Sequence, residues 1–247
     1  MLKLNVYGSS SKGNCYFLTN GNDTLCLDLG VKKLDNLDWN NVSGIIITHV
    51  HNDHCGGIKD IKNYYKGKYY SNKETLDKIP IIDEYKQEVI GGEKFSIGTF
   101  DIVAFDLYHD VKCYGYLIKD TISNTKILYI TDTGHINYKF KDIYYFLIES
   151  NNVESELTFE DYKEVRLYDT HLSMEQTSRF LKENINHNTK KIILCHISHG
   201  EQNYIRHQDY VKEQLENEDI EVIALDPHLK NKREIILKED IGGFDFD

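Results

Sequence analysis

Short apolar runs broken by Gly, Ser and Asn set the pattern of the first part of the chain. Leu2–Tyr7, Cys15–Thr19 and Thr24–Asp28 each read as a strand flanked by turn residues. Gly44–Thr48 (GIIIT) is a continuous apolar run of the kind a fully buried strand shows. Ile58–Lys66 reads as a helix. Phe95–Ile97 and Phe100–Leu107 form a hairpin about Gly98 and Thr99, and Tyr114–Ile118, Lys126–Thr131 and Tyr145–Glu149 follow as strands. The spacing then turns helical over Glu154–Val165 and Met174–Asn184, the second opened by Ser173 as N-cap with Gln176 three positions on. Lys191–Ile197 is a strand, Tyr204–Glu216 a helix, and Glu221–Leu225 and Arg233–Leu237 close the pattern as strands. No repeat, low-complexity segment or shift in composition marks a boundary. The expectation is one α/β domain over residues 1–247, with two packed sheets covered by helices.

Composition changes this picture little; charge changes it more. The start, MLKLNVYGSS, reads as a strand and not as a signal peptide, and no apolar run nears the ~20 residues of a membrane span. The five cysteines, Cys15, Cys26, Cys55, Cys113 and Cys195, form no CxxC pair, and their odd number suits buried thiols in a reducing cytoplasm. Cys55 alone lies close enough to a histidine cluster to approach a metal. With 40 acidic against 29 basic residues the net charge is −11, which argues against broad capture of DNA or RNA.

The candidate chemistry is concentrated in Thr48-His-Val-His-Asn-Asp-His54. Three imidazoles and a carboxylate follow an apolar strand, where a rigid scaffold can hold a reactive loop. His49 and His51, two apart on an extended backbone, can chelate one metal. Asp53 and His54, beyond a turn, can face a second. Such ligands suit Zn²⁺, Mn²⁺ or iron.

The HxHxDH string resembles the metallo-β-lactamase fold superfamily, whose fold is a four-layer αββα sandwich of two mixed sheets flanked by helices. That resemblance extends to later strand ends: His109 after Phe100–Leu107, Asp132 in YITDTG, and His196 in IILCHI, with Asp28 as the buried carboxylate behind the histidine loop. It implies that His49, His51 and His109 hold one divalent cation, that Asp53, His54 and His196 hold the other, and that Asp132 bridges them. Zinc is the expected metal, with manganese as alternative. His199 is a weaker competitor for the place of His196.

Gly8-Ser-Ser-Ser-Lys-Gly-Asn14 resembles the opening of the YycJ (WalJ) group, and Asp169-Thr-His-Leu-Ser173 resembles both that group and RNase Z. The resemblance implies His171 as general acid, with Asp53 orienting the nucleophile or taking its proton. Ser10, Ser11, Asn14 and Asn203 are candidate phosphate or sugar contacts. The chain departs from the YycJ strings at His109-Asp-Val111 and at Glu149-Ser-Asn-Asn-Val153. Only 22 residues separate His109 from Asp132, too few for an RNA-gripping arm, and the Asp132–His171 interval leaves no room for a cap domain. Without such grips, and at −11, a small phosphodiester is the expected substrate. The phage anti-Pycsar phosphodiesterases are a similar group. That similarity implies hydrolysis of 3′,5′-cyclic nucleotides such as cCMP and cUMP, a zinc pair and a homodimer in the host cytoplasm. A YycJ-like DNA or RNA nuclease is the alternative. Thioester or lactam hydrolysis, and a non-catalytic nucleotide-binding protein, are more distant rivals.

Overall fold

The computed structural model describes residues 1–34 and 37–238. One sheet runs β14 (Arg233–Lys238), β1 (Leu2–Ser10), β2 (Gly13–Thr19), β3 (Thr24–Leu29), β4 (Gly44–Ile46), β5 (Tyr69–Ser71) and β6 (Lys86–Glu88). The other runs β13 (Glu221–Ala224), β12 (Lys191–Cys195), β11 (Tyr145–Glu149), β10 (Thr125–Ile130), β9 (Cys113–Asp120), β8 (Phe100–Leu107) and β7 (Lys94–Ile97). Each sheet is mixed. Antiparallel pairing joins β14 through β3 and β10 through β7, and parallel pairing joins β3 through β6 and β13 through β10.

Period-two alternation distributes the strands' side chains between layers. From β2, Tyr16 and Leu18 enter the core between the sheets while Cys15 and Phe17 face outward. From β10, Ile127 and Tyr129 point inward while Leu128 and Ile130 point outward. Both faces are apolar because both are covered, which is why these strands read as unbroken hydrophobic runs. The short helices α1 (Asn52–Cys55) and α2 (Ile58–Ile61) bury Cys55, Ile58 and Ile61 against the first sheet, and Leu76 of α3 (Lys73–Lys78) joins them. Leu181 of α5 (Met174–Asn184) and Val211 and Leu215 of α6 (Ile205–Leu215) cover the second sheet. The result is the expected αββα sandwich.

Three local expectations are corrected. The helix expected over Glu154–Val165 is a single 3₁₀ turn at Glu154–Glu156 followed by α4 (Tyr162–Thr170), which Asp161 caps through Lys163 N. The helix over Ile58–Lys66 stops after one turn, at Ile61. Strands β5 and β6 and helix α3 went unread, because three-residue strands carry too little periodicity to register. The capping box of α5 is present, with Ser173 and Gln176 bonded reciprocally.

His207 of α6 is buried with Nδ1 2.8 Å from Ser150 Oγ. Burial pushes this imidazole down to about 4; Glu201 opposes the shift and Arg206 adds to it. The unfolded chain, near 6.5, therefore binds more protons between those values, so this group's stabilisation is complete above about pH 6.5 and lost as pH falls to about 4. We expect it to remove up to about 3 kcal/mol of unfolding free energy over that window. Urea denaturation across the range reads it, and His207→Gln should flatten the slope; an unchanged slope would contradict the assignment.

Candidate metal centre

The site lies at one end of the sandwich, where loops after β3, β4, β8, β10, β11 and β12 converge. Among the described residues three sets place their ligand atoms within 4.8 Å of one another: His49, His51 and His109; Asp53, His54, Asp132 and His196; and Asp132, Glu149, His171 and His196. Every residue expected as a ligand thus falls in one of the first two sets. Asp132 sits with the second, its Oδ2 3.0 Å from His54 Nε2. The ring of His171 packs against those of both His109 and His196, at centroid distances of 5.4 and 5.3 Å.

Behind the rings stands a row of acceptors. Asp28 is wholly buried and receives Thr48 N (2.7 Å), Thr48 Oγ1 (2.9 Å), His54 Nδ1 (2.7 Å) and Tyr129 OH (2.6 Å). His109 Nδ1 donates to Thr170 O at 3.0 Å. Glu149 Oε1 accepts from both His171 Nδ1 (2.7 Å) and His196 Nδ1 (2.8 Å), while its Oε2 accepts from the backbone of Thr133 and Leu172. In each case the bond fixes the ring through Nδ1 and aims Nε2 away from the acceptor, the arrangement by which outer acceptors orient metal-ligating histidines; His54 Nε2 there meets Asn14 Nδ2 at 3.0 Å. His49 makes the point most sharply. Its Nδ1 lies 3.0 Å from Thr48 Oγ1, and its Nε2 is buried with no hydrogen-bond partner. An orphaned buried ring nitrogen among two more imidazoles fits a cation, since an unpartnered polar atom is otherwise costly.

Electrostatics divide the two sets. Burial pulls His49 and His109 below the usual imidazole range, with Asp132 opposing, so both stay neutral and able to donate a lone pair. For His54, burial is outweighed by Asp132, Asp28 and Asp53, which hold it above that range; His196 is raised to about 10 against its own burial, chiefly by Asp132. Asp53 and Asp132 remain ionised despite burial because of the facing histidines. A divalent cation held here would take the place of the protons that His54 and His196 carry beside these ionised carboxylates.

The backbone is bent to make this convergence. Asp28, Asp132 and His196 all have positive φ, at 54°, 43° and 48°. Non-glycine residues there cost roughly 1–2 kcal/mol each, and such conformations gather at functional sites. Two glycines admit the loops: a Cβ on Gly30 would lie 1.7 Å from Asp53 O, and one on Gly134 1.9 Å from Asp169 O.

Other sequence candidates are placed differently. Asn14 is wholly buried, its amide bonded to Ser10 O, Asp53 O and His54 Nε2, so it braces the loop instead of facing substrate. Ser10 is buried and Ser11 exposed at the β1–β2 turn. Asn203 is exposed, its N–H on Glu201. Cys55 belongs to neither ligand set, and burial pushes its thiol up to about 11, so it stays protonated. His199 turns away, its Nδ1 3.2 Å from Pro227 O. Glu149 was missed as a functional residue. Its signal was a carboxylate ending the apolar run of β11.

The sandwich and these strand-end loops define a metallo-β-lactamase-fold protein of the metal-dependent hydrolase type. Residues 31–197 match the Beta-lactamase superfamily domain, and the chain belongs to that family. It is 28% identical over 222 residues to exodeoxyribonuclease YycJ of Bacillus anthracis, covering 80% of this chain and 83% of that protein. Exodeoxyribonuclease WalJ of Streptococcus pneumoniae is also 28% identical, over 224 residues, covering 79% and 81%. Among solved structures, the metallo-β-lactamase fold protein YhfI of Bacillus subtilis superposes with a TM-score of 0.72 at 15% identity, covering 94% of this chain and 98% of that one. Within that family its similarity runs to the YycJ and WalJ proteins. Among the described residues no helix is long and apolar enough to cross a membrane.

Gly30→Ala should cost about 1–3 kcal/mol by forcing β3 and the histidine loop apart. Urea denaturation measures it; undiminished stability would contradict the close approach.

Proposed function

We propose that the chain hydrolyses phosphodiester bonds in nucleotides, with His49, His51 and His109 holding one divalent cation and Asp53, His54, Asp132 and His196 the other. The observation that carries this reading is the convergence of the ring nitrogens, with His49, His54, His109 and His196 each held from behind through Nδ1 and His49 Nε2 orphaned. The influence of Asp132 on His49 and His109 as well as on its own set supports a bridging role. The imidazole-rich first set suits zinc, and the oxygens of the second admit manganese. Bound cations would supply Lewis-acid activation of the phosphoryl group and of water at neutral pH.

The chain's own residues do the rest. Asp53, ionised and only partly covered, can orient the attacking water and take its proton. His171 donates Nδ1–H to Glu149, so in its imidazolium form the second proton sits on Nε2 and can pass to the departing ribose oxygen. Its ring touches a histidine of each ligand set, which supports a place beside the scissile bond.

Two finer readings of substrate follow from different observations. The similarity to YycJ and WalJ, both exodeoxyribonucleases, favours DNA ends or short oligonucleotides, and we take this as the leading reading. The net charge of −11 and the short intervals around Asp132 favour 3′,5′-cyclic nucleotides. That second reading also brings the homodimer, which sedimentation velocity tests.

Purified, metal-loaded protein offered cyclic mononucleotides, thymidine dinucleotides, and single-stranded DNA and RNA side by side should cleave the dinucleotides and DNA best. Preferential turnover of cCMP or cUMP would transfer the assignment to the second reading. His49→Ala/His51→Ala should lower turnover by at least about 10³-fold; wild-type activity in that variant would refute the mechanism.

A further inference from the structure

A cleft of about 330 Å³ adjoins the centre on the side of the β1–β2 turn. One wall is that turn, from Tyr7 to Gly13; the other is formed by His199 and the segment from Pro227 to Lys230. Both walls are tied to the ligand sets. Ser9 Oγ receives His196 N at 3.0 Å, Asn14 joins Ser10 O to His54 Nε2, and His199 lies three positions beyond His196.

The lining departs from the character of the chain. In a protein with 40 acidic and 29 basic residues, this cleft is lined by Lys12, Lys230, His199 and His228 and by no Asp or Glu. Among the described residues neither lysine forms an ion pair closer than 4 Å with a carboxylate; the nearby Asp226 carboxylate is occupied with His228 N–H. The two imidazoles pack edge to face, 4.4 Å between centroids. His199 Nδ1 donates to Pro227 O, which leaves its Nε2 for another partner. His228 Nε2 is buried without any partner. The rim on the opposite side of the centre, beside His109, carries Asp110, Arg166 and Asp169 instead. The cleft thus concentrates unpaired cationic and imidazole donors where the protein as a whole repels anions.

We propose that this cleft is a second phosphate subsite, in which Lys12, Lys230, His199 and His228 take a phosphate of the substrate other than the one being cleaved. The inference deepens the phosphodiesterase reading and rests on it for the position of the scissile bond. It gives substrates with at least two phosphates an added contact that a plain dinucleotide or a cyclic mononucleotide, each with one, does not make. The second phosphate can be a terminal phosphomonoester or the next internucleotide linkage; both present anionic non-bridging oxygens to the lysines.

The test reads binding without turnover. Dithymidine ligands joined by an uncharged methylphosphonate, which resists hydrolysis, are titrated calorimetrically into the metal-loaded protein. They carry a phosphate at the 5′ end, a phosphate at the 3′ end, or neither; a trinucleotide with one charged internal linkage completes the set. We expect one phosphate position to tighten binding roughly tenfold, the gain of a charge-assisted contact. Lys12→Ala/Lys230→Ala should erase that gain, and Lys230→Glu should invert it, with thermal unfolding confirming that both variants fold. A tenfold gain that survives in the double variant, or no gain at any position, overturns the proposal. Cleavage of plain thymidine dinucleotide is measured in parallel. If it is absent while the lysine-dependent gain is present, the hydrolase reading fails and the subsite stands; if cleavage occurs without the gain, the reverse holds.

Discussion

Packing several imidazoles and carboxylates into one dry cleft is unfavourable unless each ring is fixed in tautomer and aim. Here that work falls to acceptors set behind the rings: Asp28 behind His54, Glu149 behind His171 and His196, and the Thr170 carbonyl behind His109. Each accepts a hydrogen bond from an Nδ1–H and leaves Nε2 directed away from the supporting layer. The layer is rooted in the sheets. Asp28 follows the apolar run of β3, Glu149 ends β11, and Tyr129 of β10 reaches across the inter-sheet core to Asp28. The hydrophobic sandwich therefore does more than stabilise the fold; it gives the polar cluster a rigid back wall.

Strain accompanies this placement. Strand-end residues must turn their side chains toward a common point, and Asp28, Asp132 and His196 do so in left-handed backbone conformations that ordinary residues avoid. Gly30 and Gly134 remove the side chains that would keep the loops apart. The cost is borne by a core whose strands are covered on both faces.

Much of this was legible in the sequence, for definite reasons. The HxHxDH string and the apolar runs before His109, Asp132 and His196 carry both the fold and the ligand candidates, since reactive loops follow buried strands. What was hidden depended on tertiary contact. Glu149 looks like the end of an apolar strand until His171 and His196 arrive from distant segments. Asn14 looks like a turn residue open to substrate until the histidine loop packs over it. The basic cleft joins Lys12 to Lys230 across almost the whole chain, a pairing that no local pattern announces. The misread helix at Glu154–Val165 has a local cause: its spacing suits a helix, but the chain passes through a 3₁₀ turn and restarts only at the Asp161 cap.

The central claim is that the two sets of inward-facing ligands hold metal, and elemental analysis of the purified chain tests it most directly. The account predicts about two transition-metal ions per chain, falling to about one in His49→Ala. A chain that binds no transition metal under conditions where it is folded and active would contradict it.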